Sequence, residues 1–175
     1  MKYFRLLLII TSFFSCKNDL SQIRTLDYNN SPVTIAKQIN SIYTDSGIVS
    51  SKLISPVMYN FSNMDFPYFE FPQSVEIIFY DANKNESIIT ANYVISYNNT
   101  DLVDLRNNVV IITSSKDTLY TDQLYYNKGQ QWLFTNHPFK YKSLDKDITG
   151  VGFDSNISFS KINFLDVNGY VLLEE

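Results

Sequence analysis

Val75-Glu76-Ile77-Ile78-Phe79-Tyr80, a polar break at Asp81-Ala82-Asn83-Lys84-Asn85-Glu86, and Ser87-Ile88-Ile89-Thr90-Ala91-Asn92-Tyr93-Val94-Ile95-Ser96-Tyr97 together decide the fold. Both apolar runs are rich in β-branched and aromatic residues, which pack well on a pleated surface and crowd a helix. Alternation sets Val75, Ile77 and Phe79 on one face and Glu76, Ile78 and Tyr80 on the other. The second run reads as one strand, with Ile89, Ala91, Tyr93, Ile95 and Tyr97 opposite Ile88, Thr90, Asn92, Val94 and Ser96. Two such runs around a short turn predict an antiparallel pair.

The pattern extends in both directions. Asp45-Ser46-Gly47 reads as a turn between residues 39–44 and 48–56, and Asn98-Asn99-Thr100-Asp101 leads into residues 102–114. Ser115-Lys116-Asp117 and Asn127-Lys128-Gly129 introduce residues 118–126 and 131–135, and Asn168-Gly169 is the strongest short hairpin signal in the chain. Val103, Leu105, Val109 and Ile111 share a face opposite Asp104, Arg106, Asn108 and Val110. Apolar residues leak onto the nominally polar faces, which suits strands covered on both sides, an apolar groove, or the core of a sandwich. Residues 32–43 carry two patterns: Val33, Ala36, Ile39 and Ile42 at helical spacing, and Ile39, Ser41 and Tyr43 at strand spacing. A strand from Gln38 is the expectation adopted.

Three segments lie over one another: Ile89-Thr90-Ala91-Asn92-Tyr93, Tyr120-Thr121-Asp122-Gln123-Leu124 and Ile148-Thr149-Gly150-Val151-Gly152, their threonines 31 and 28 residues apart. Repeats of that length made of hairpins imply units stacked along a line, each covering its neighbour.

Composition narrows the chemistry. The chain has 175 residues, 45% hydrophobic, enough for one core. Lys and Arg number 14 against 18 Asp and Glu, so the surface repels a polyanion and no nucleic-acid partner is expected. His137 and Cys16 are each the sole residue of their type, which excludes a His/Cys zinc site, a Cys-His nucleophile pair and an internal disulfide. No metal, cofactor or catalytic residue is assigned. The scattered carboxylates Asp81, Asp101, Asp104, Asp145 and Asp147 lack calcium-loop spacing and read as solvated surface. Trp132, Phe134 and His137 share a segment that could form a sugar platform, although a half-buried His in a turn before Pro138 is the favoured reading. The aromatic stretch Asp65 to Pro72 reads equally as a lid over a groove or a plug at the end of a sandwich.

The N-terminus carries Lys2 and Arg5, then an apolar run from Leu6 to Phe14, then Cys16. That run is about half the ~20 residues a membrane-spanning helix needs, so it reads as a signal peptide. Phe13-Phe14-Ser15-Cys16 resembles a bacterial lipobox, with Cys16 as the acylated residue of a chain attached to the membrane. The expected organisation is a lipoprotein signal peptide over residues 1–15, a lipidated tether over 16–37 and one β domain over 38–175.

The order of several modest motifs carries a family resemblance: Tyr43-Thr44-Asp45-Ser46-Gly47, Pro67-Tyr68-Phe69-Glu70-Phe71-Pro72, Thr90-Ala91-Asn92-Tyr93, Arg106-Asn107-Asn108-Val109-Val110 and Thr121-Asp122-Gln123-Leu124-Tyr125-Tyr126. Behind a membrane-anchored N-terminus, this resembles the LptC-type periplasmic component of the lipopolysaccharide export ABC transporter, in a Bacteroidota-like lipoprotein form. The resemblance implies an open, twisted antiparallel β-jellyroll whose apolar interior holds the acyl chains of lipopolysaccharide. It implies no enzymatic step, with cargo accepted from the inner-membrane transporter subunits and passed to a periplasmic LptA-like bridge protein. Location follows as the periplasmic face of the inner membrane, with an outer-membrane anchor left open. The familiar members carry an N-terminal transmembrane helix where this chain has a lipobox. Groove candidates are Ile77, Phe79, Ile89, Tyr93, Ile95, Leu105, Val110, Trp132, Phe134 and Phe153. Ile39, Tyr43 and Ile48 are candidates for the N-terminal partner edge, and Val167 and Val171 for the C-terminal one. Two other classes stay open: a β-sandwich lipoprotein that binds glycan or protein, and a lipoprotein hydrolase.

Overall fold

A computed structural model describes residues 31–171, so the expected signal peptide, Cys16 and most of the expected tether lie outside the described residues. Among the described residues eleven strands form one antiparallel sheet. They are β1 (Thr34–Asp45), β2 (Ile48–Phe61), β3 (Tyr68–Phe71), β4 (Val75–Tyr80), β5 (Glu86–Ala91), β6 (Tyr93–Tyr97), β7 (Leu102–Ile112), β8 (Thr118–Asn127), β9 (Trp132–Lys142), β10 (Lys146–Asn156) and β11 (Ile162–Val171). The strand reading of residues 32–43 holds over the helical one, and β1 starts at Thr34, four residues before Gln38.

The sheet is creased across its middle. Residues 87–97 form two strands, not one: β5 pairs with residues 110–112 of β7, whereas β6 pairs with residues 103–106 of the same strand. Likewise β2 pairs with β4 through residues 51–54 and with β3 through residues 59–61. The crease continues through Asn107 and Asn108, both at positive φ, and through register shifts after Thr121 in β8 and Val151 in β10. β7 keeps Val103 and Leu105, then Val109 and Ile111, buried across its break. At Asn92 and in β8 the pleat is reset, because one residue inserted into a period of two sends every later side chain to the opposite face. Thus Ile89 and Ala91 are buried before the break at Asn92, and Val94 is the buried residue after it. The sequence repeat falls on this line: Asn92, Asp122 and Gly152 lie at intervals of 30 residues, each just beyond a repeat threonine.

Folding along the crease turns one sheet into two facing layers over a shared core, the open jellyroll. Phe79 of β4 and Tyr126 of β8, on strands that do not pair, meet edge to face with ring centroids 5.3 Å apart. The crease breaks ladder hydrogen bonds in a buried place, and short hydroxyl side chains supply substitutes. Thr121 Oγ1 donates to the Pro138 carbonyl at 2.9 Å, Thr135 Oγ1 to that of Gln123 at 2.7 Å, and Ser55 Oγ lies within reach of the Val57 and Gln73 carbonyls. Ser55, Thr121 and Thr135 are all buried. No buried side-chain polar atom among the described residues lacks a partner.

Several local expectations change. Asn168-Gly169 is no turn: both residues lie within β11, and a Cβ on Gly169 would press on the Asp147 carbonyl of β10, so the glycine serves close strand approach. The turn from β10 to β11 falls at residues 157–161 instead. His137 is half-buried where β9 crosses the crease, within a strand and not in a turn. The stretch 65–72 is neither lid nor plug as a loop, since Tyr68–Phe71 forms β3, with Tyr68 stacked on Phe61 at 4.7 Å. Ser46 and Gly47, both at positive φ, make the tight hairpin turn expected between β1 and β2.

Candidate functional site

The interior is filled unequally. At the C-terminal end Phe139, Tyr141, Phe153, Phe159 and Phe164 form a continuous set of ring contacts, 5.3 to 6.0 Å between centroids. Gly150 makes room for it, because a Cβ there would strike the Phe139 ring and the Asp166 carbonyl. In the middle Leu105, Leu119, Leu124 and Leu133 are completely inaccessible.

At the N-terminal end the layers do not close. Strands β3 and β4 are only four and six residues long, and between them and β1 and β2 lies an apolar cavity of about 410 Å³. Leu53 and Met58 of β2, Phe69 and Phe71 of β3, and Ile77 and Phe79 of β4 line it, with Val94 and Val103 at its back. Ile39 and Tyr43 of the edge strand β1 form one side. The polar groups are few: Ser41, Ser50, Ser51 and Ser96 hydroxyls, Gln131, and the Lys128 ammonium, which donates to Ser96 Oγ at 3.3 Å. Burial pushes the Tyr126 phenol up to about 12, so it stays a neutral wall of the cavity at physiological pH. Such a lining offers dispersion contact and water exclusion, worth ~25 cal/mol per Å² of apolar surface covered. It offers no activated nucleophile, and no cluster of three metal-ligating side chains occurs among the described residues.

Of the residues singled out from sequence, Ile77 and Phe79 line this cavity. Ile89, Leu105 and Phe153 are sealed in the core. Tyr93, Ile95, Val110 and Phe134 face outward: the Tyr93 hydroxyl donates to Glu70 Oε1 at 2.8 Å, and Phe134 stacks on Tyr125 at 5.3 Å. The reset at Asn92 is what turns Tyr93 and Ile95 away from the interior. Trp132 lies at a neighbouring cavity, apart from Phe134 and His137. Of the edge candidates, Ile39, Tyr43 and Ile48 belong to the hairpin that ends the sheet on one side, with Ile48 72% exposed. Val167 and Val171 belong to β11, which ends it on the other. Among the described residues β1 pairs only with β2 and β11 only with β10, so each leaves one backbone edge open. The ladder of β1 is interrupted at Gln38 (φ 55), opposite Pro56 of β2, which has no N–H to donate.

Phe69, Phe71, Leu53, Met58, Val94, Val103 and Tyr126 are the apolar and aromatic lining residues that sequence reading did not select. The aromatic density of residues 66–71 was the one local signal for the first two; Val94 was hidden by the assumption of one unbroken strand.

On the outer face Asp104, 2% exposed, is held by the Arg106 guanidinium and by Gln123 Nε2 at 2.9 Å. The ion pair lies within β7, and the Gln123 amide ties it to β8 from outside, away from the cavity.

No curated protein matches the chain. A family model described as lipopolysaccharide-assembly, LptC-related, matches residues 4–171. With nearly the whole length matched and an all-β sheet folded into an open jellyroll, the chain belongs to the LptC-related family of lipopolysaccharide-assembly proteins and is a component of lipopolysaccharide transport.

Proposed function

We propose that the chain is a periplasmic carrier that accepts lipopolysaccharide from the inner-membrane ABC transporter, shelters its acyl chains in the N-terminal apolar cavity and passes it to an LptA-like bridge protein. Acylated Cys16 would hold it at the membrane, the next residues acting as a tether. The observation that carries the reading is the cavity bounded by Ile77, Phe79, Phe71 and Val94, at the same end as the open edge of β1. An acyl chain needs cover and no chemistry, and that lining provides it. The open edges of β1 and β11 suit partners of like fold, since a second sheet can continue either by main-chain hydrogen bonds.

The test is photo-crosslinking in living cells from Phe69, Ile77 and Phe79, with outward-facing Ile95 and Val110 as controls. ATP-dependent lipopolysaccharide adducts from the first three and none from the controls are expected. Adducts from none of the five, with the protein folded and at the membrane, would remove the carrier reading. A Cys16→Ala chain that still fractionates with membranes would remove the acyl anchor.

A further inference from the structure

A second cavity, of about 450 Å³, opens beside the apolar one where the turns β4–β5, β8–β9 and β10–β11 gather. Phe79 and Tyr126 belong to the walls of both cavities, so the two are neighbours across one aromatic pair. The second is the more polar of the two. It is lined by Gln130, Trp132, Lys161 and the β10–β11 turn, in which Asn156 Nδ2 donates to Ser158 Oγ at 3.2 Å and to Ser160 Oγ at 2.7 Å. Asp81 also borders it, but that carboxylate is committed to its own turn, accepting from the Asn83 and Asn85 amides and from Asn85 Nδ2, each at 2.8 Å. The Lys161 ammonium has no acidic partner among the described residues.

An apolar cavity sharing a wall with a hydroxyl- and amide-lined one fits an amphiphile, each compartment taking the part it solvates. We propose that the polar cavity holds the phosphorylated sugar head of the lipid whose acyl chains fill the apolar cavity. The Trp132 indole lies against a sugar face and the Lys161 ammonium against a phosphate. This rests on the carrier reading and adds a direction to it: the head faces the turns and the chains point toward the crease at Val94.

Trp132 is the sole tryptophan of the chain, so its emission reports on this cavity alone. The full-length protein is titrated with deacylated lipopolysaccharide, which keeps the phosphorylated sugars and lacks the chains, and separately with a fluorescent fatty acid. The deacylated head is expected to shift Trp132 emission. Lys161→Ala and Gln130→Ala, both at exposed positions, are expected to weaken lipopolysaccharide binding about tenfold, the scale of one charged or polar hydrogen bond, with fatty-acid binding unchanged. If the fatty acid binds while the deacylated head leaves the emission unchanged and both variants bind lipopolysaccharide like the parent, the head site is overturned and the apolar cavity stands. Failure of both ligands to bind overturns the carrier reading and this inference with it.

Discussion

The two ends of the creased sheet are built from the same residue types and differ in whether their interior is full. At the C-terminal end five aromatic rings touch in series, and Phe153 is 1% exposed. At the N-terminal end Phe69, Phe71, Phe79 and Tyr126 surround a space that no side chain enters. Short strands and a lone edge hairpin supply too few inward residues to fill the N-terminal volume, whereas the long strands β9, β10 and β11 each send rings into the C-terminal one. An aromatic composition therefore does not mark a binding site by itself. What separates a plug from a lining is whether the facing layer brings a partner for each ring.

The largest test of that contrast is a pair of truncations. Phe153→Ala is expected to cost about 3–5 kcal/mol, as for a large ring lost from a closed core. Phe79→Ala, whose ring already borders open space, is expected to cost about 1–2 kcal/mol, the value of partial burial. Urea unfolding monitored by circular dichroism measures both, and equal losses would erase the distinction between sealed and open ends.

Next in size is Gly150→Ala. The new methyl must displace the Phe139 ring and the Asp166 carbonyl, for an expected loss of about 1–3 kcal/mol. Hydrogen exchange should speed up in β11 and leave β1 and β2 unchanged; a uniform response would mean that the two ends are one cooperative unit.

Alkaline titration probes both ends together. Burial lifts the phenols of Tyr126, in the cavity wall, and Tyr141, in the plug, to about 12, with nearby Asp117 adding to the second. A phenol whose folded pKa lies above the unfolded value of ~10 stabilises the fold fully below pH ~10 and loses that contribution as pH rises toward 12. Phenolate absorbance of these two tyrosines should therefore appear with unfolding rather than before it. Early ionisation of Tyr126 alone would show water reaching deep into the cavity.

The smallest effect is expected at acid pH. Hydrogen bonds from the Asn85 side chain and backbone hold Asp81 below the ordinary carboxylate range, and the Ser143 hydroxyl does the same for Asp145 near the plug. Such a group stabilises the fold above its unfolded pKa, and the contribution disappears as pH falls through the lower folded value. The stability gap between the parent and Asp81→Asn should thus exist at neutral pH and close below pH ~4. A gap that persists in acid would assign the effect to side-chain shape instead of charge.

Most strands were legible because alternation and turn chemistry are local. Residues 75–80 show their buried face directly, and Asp45-Ser46-Gly47 makes the turn its residues demand. The errors have a common origin. Asn92 inside an apparently continuous strand and Gly169 beside Asn168 both answer to a neighbouring strand, which no local pattern records. Asn92 donates its N–H to the Asn107 carbonyl at 3.0 Å and so joins two breaks fifteen residues apart into one crease. The repeat, its threonines 31 and 28 residues apart, was visible in the sequence, yet it reads as a crease only once the strands are side by side.

Residue types and local order alone give an all-β chain of hairpins, most but not all of its turns, the exclusion of a His/Cys zinc site and the family to which the chain belongs. These depend on residue types and short-range order, which act within a few residues. Which aromatic residues line a cavity and which fill a plug was decided only by the tertiary structure. Burial depends on what the opposing layer presents, and the crease at Asn92, Asp122 and Gly152 sets which residues oppose one another.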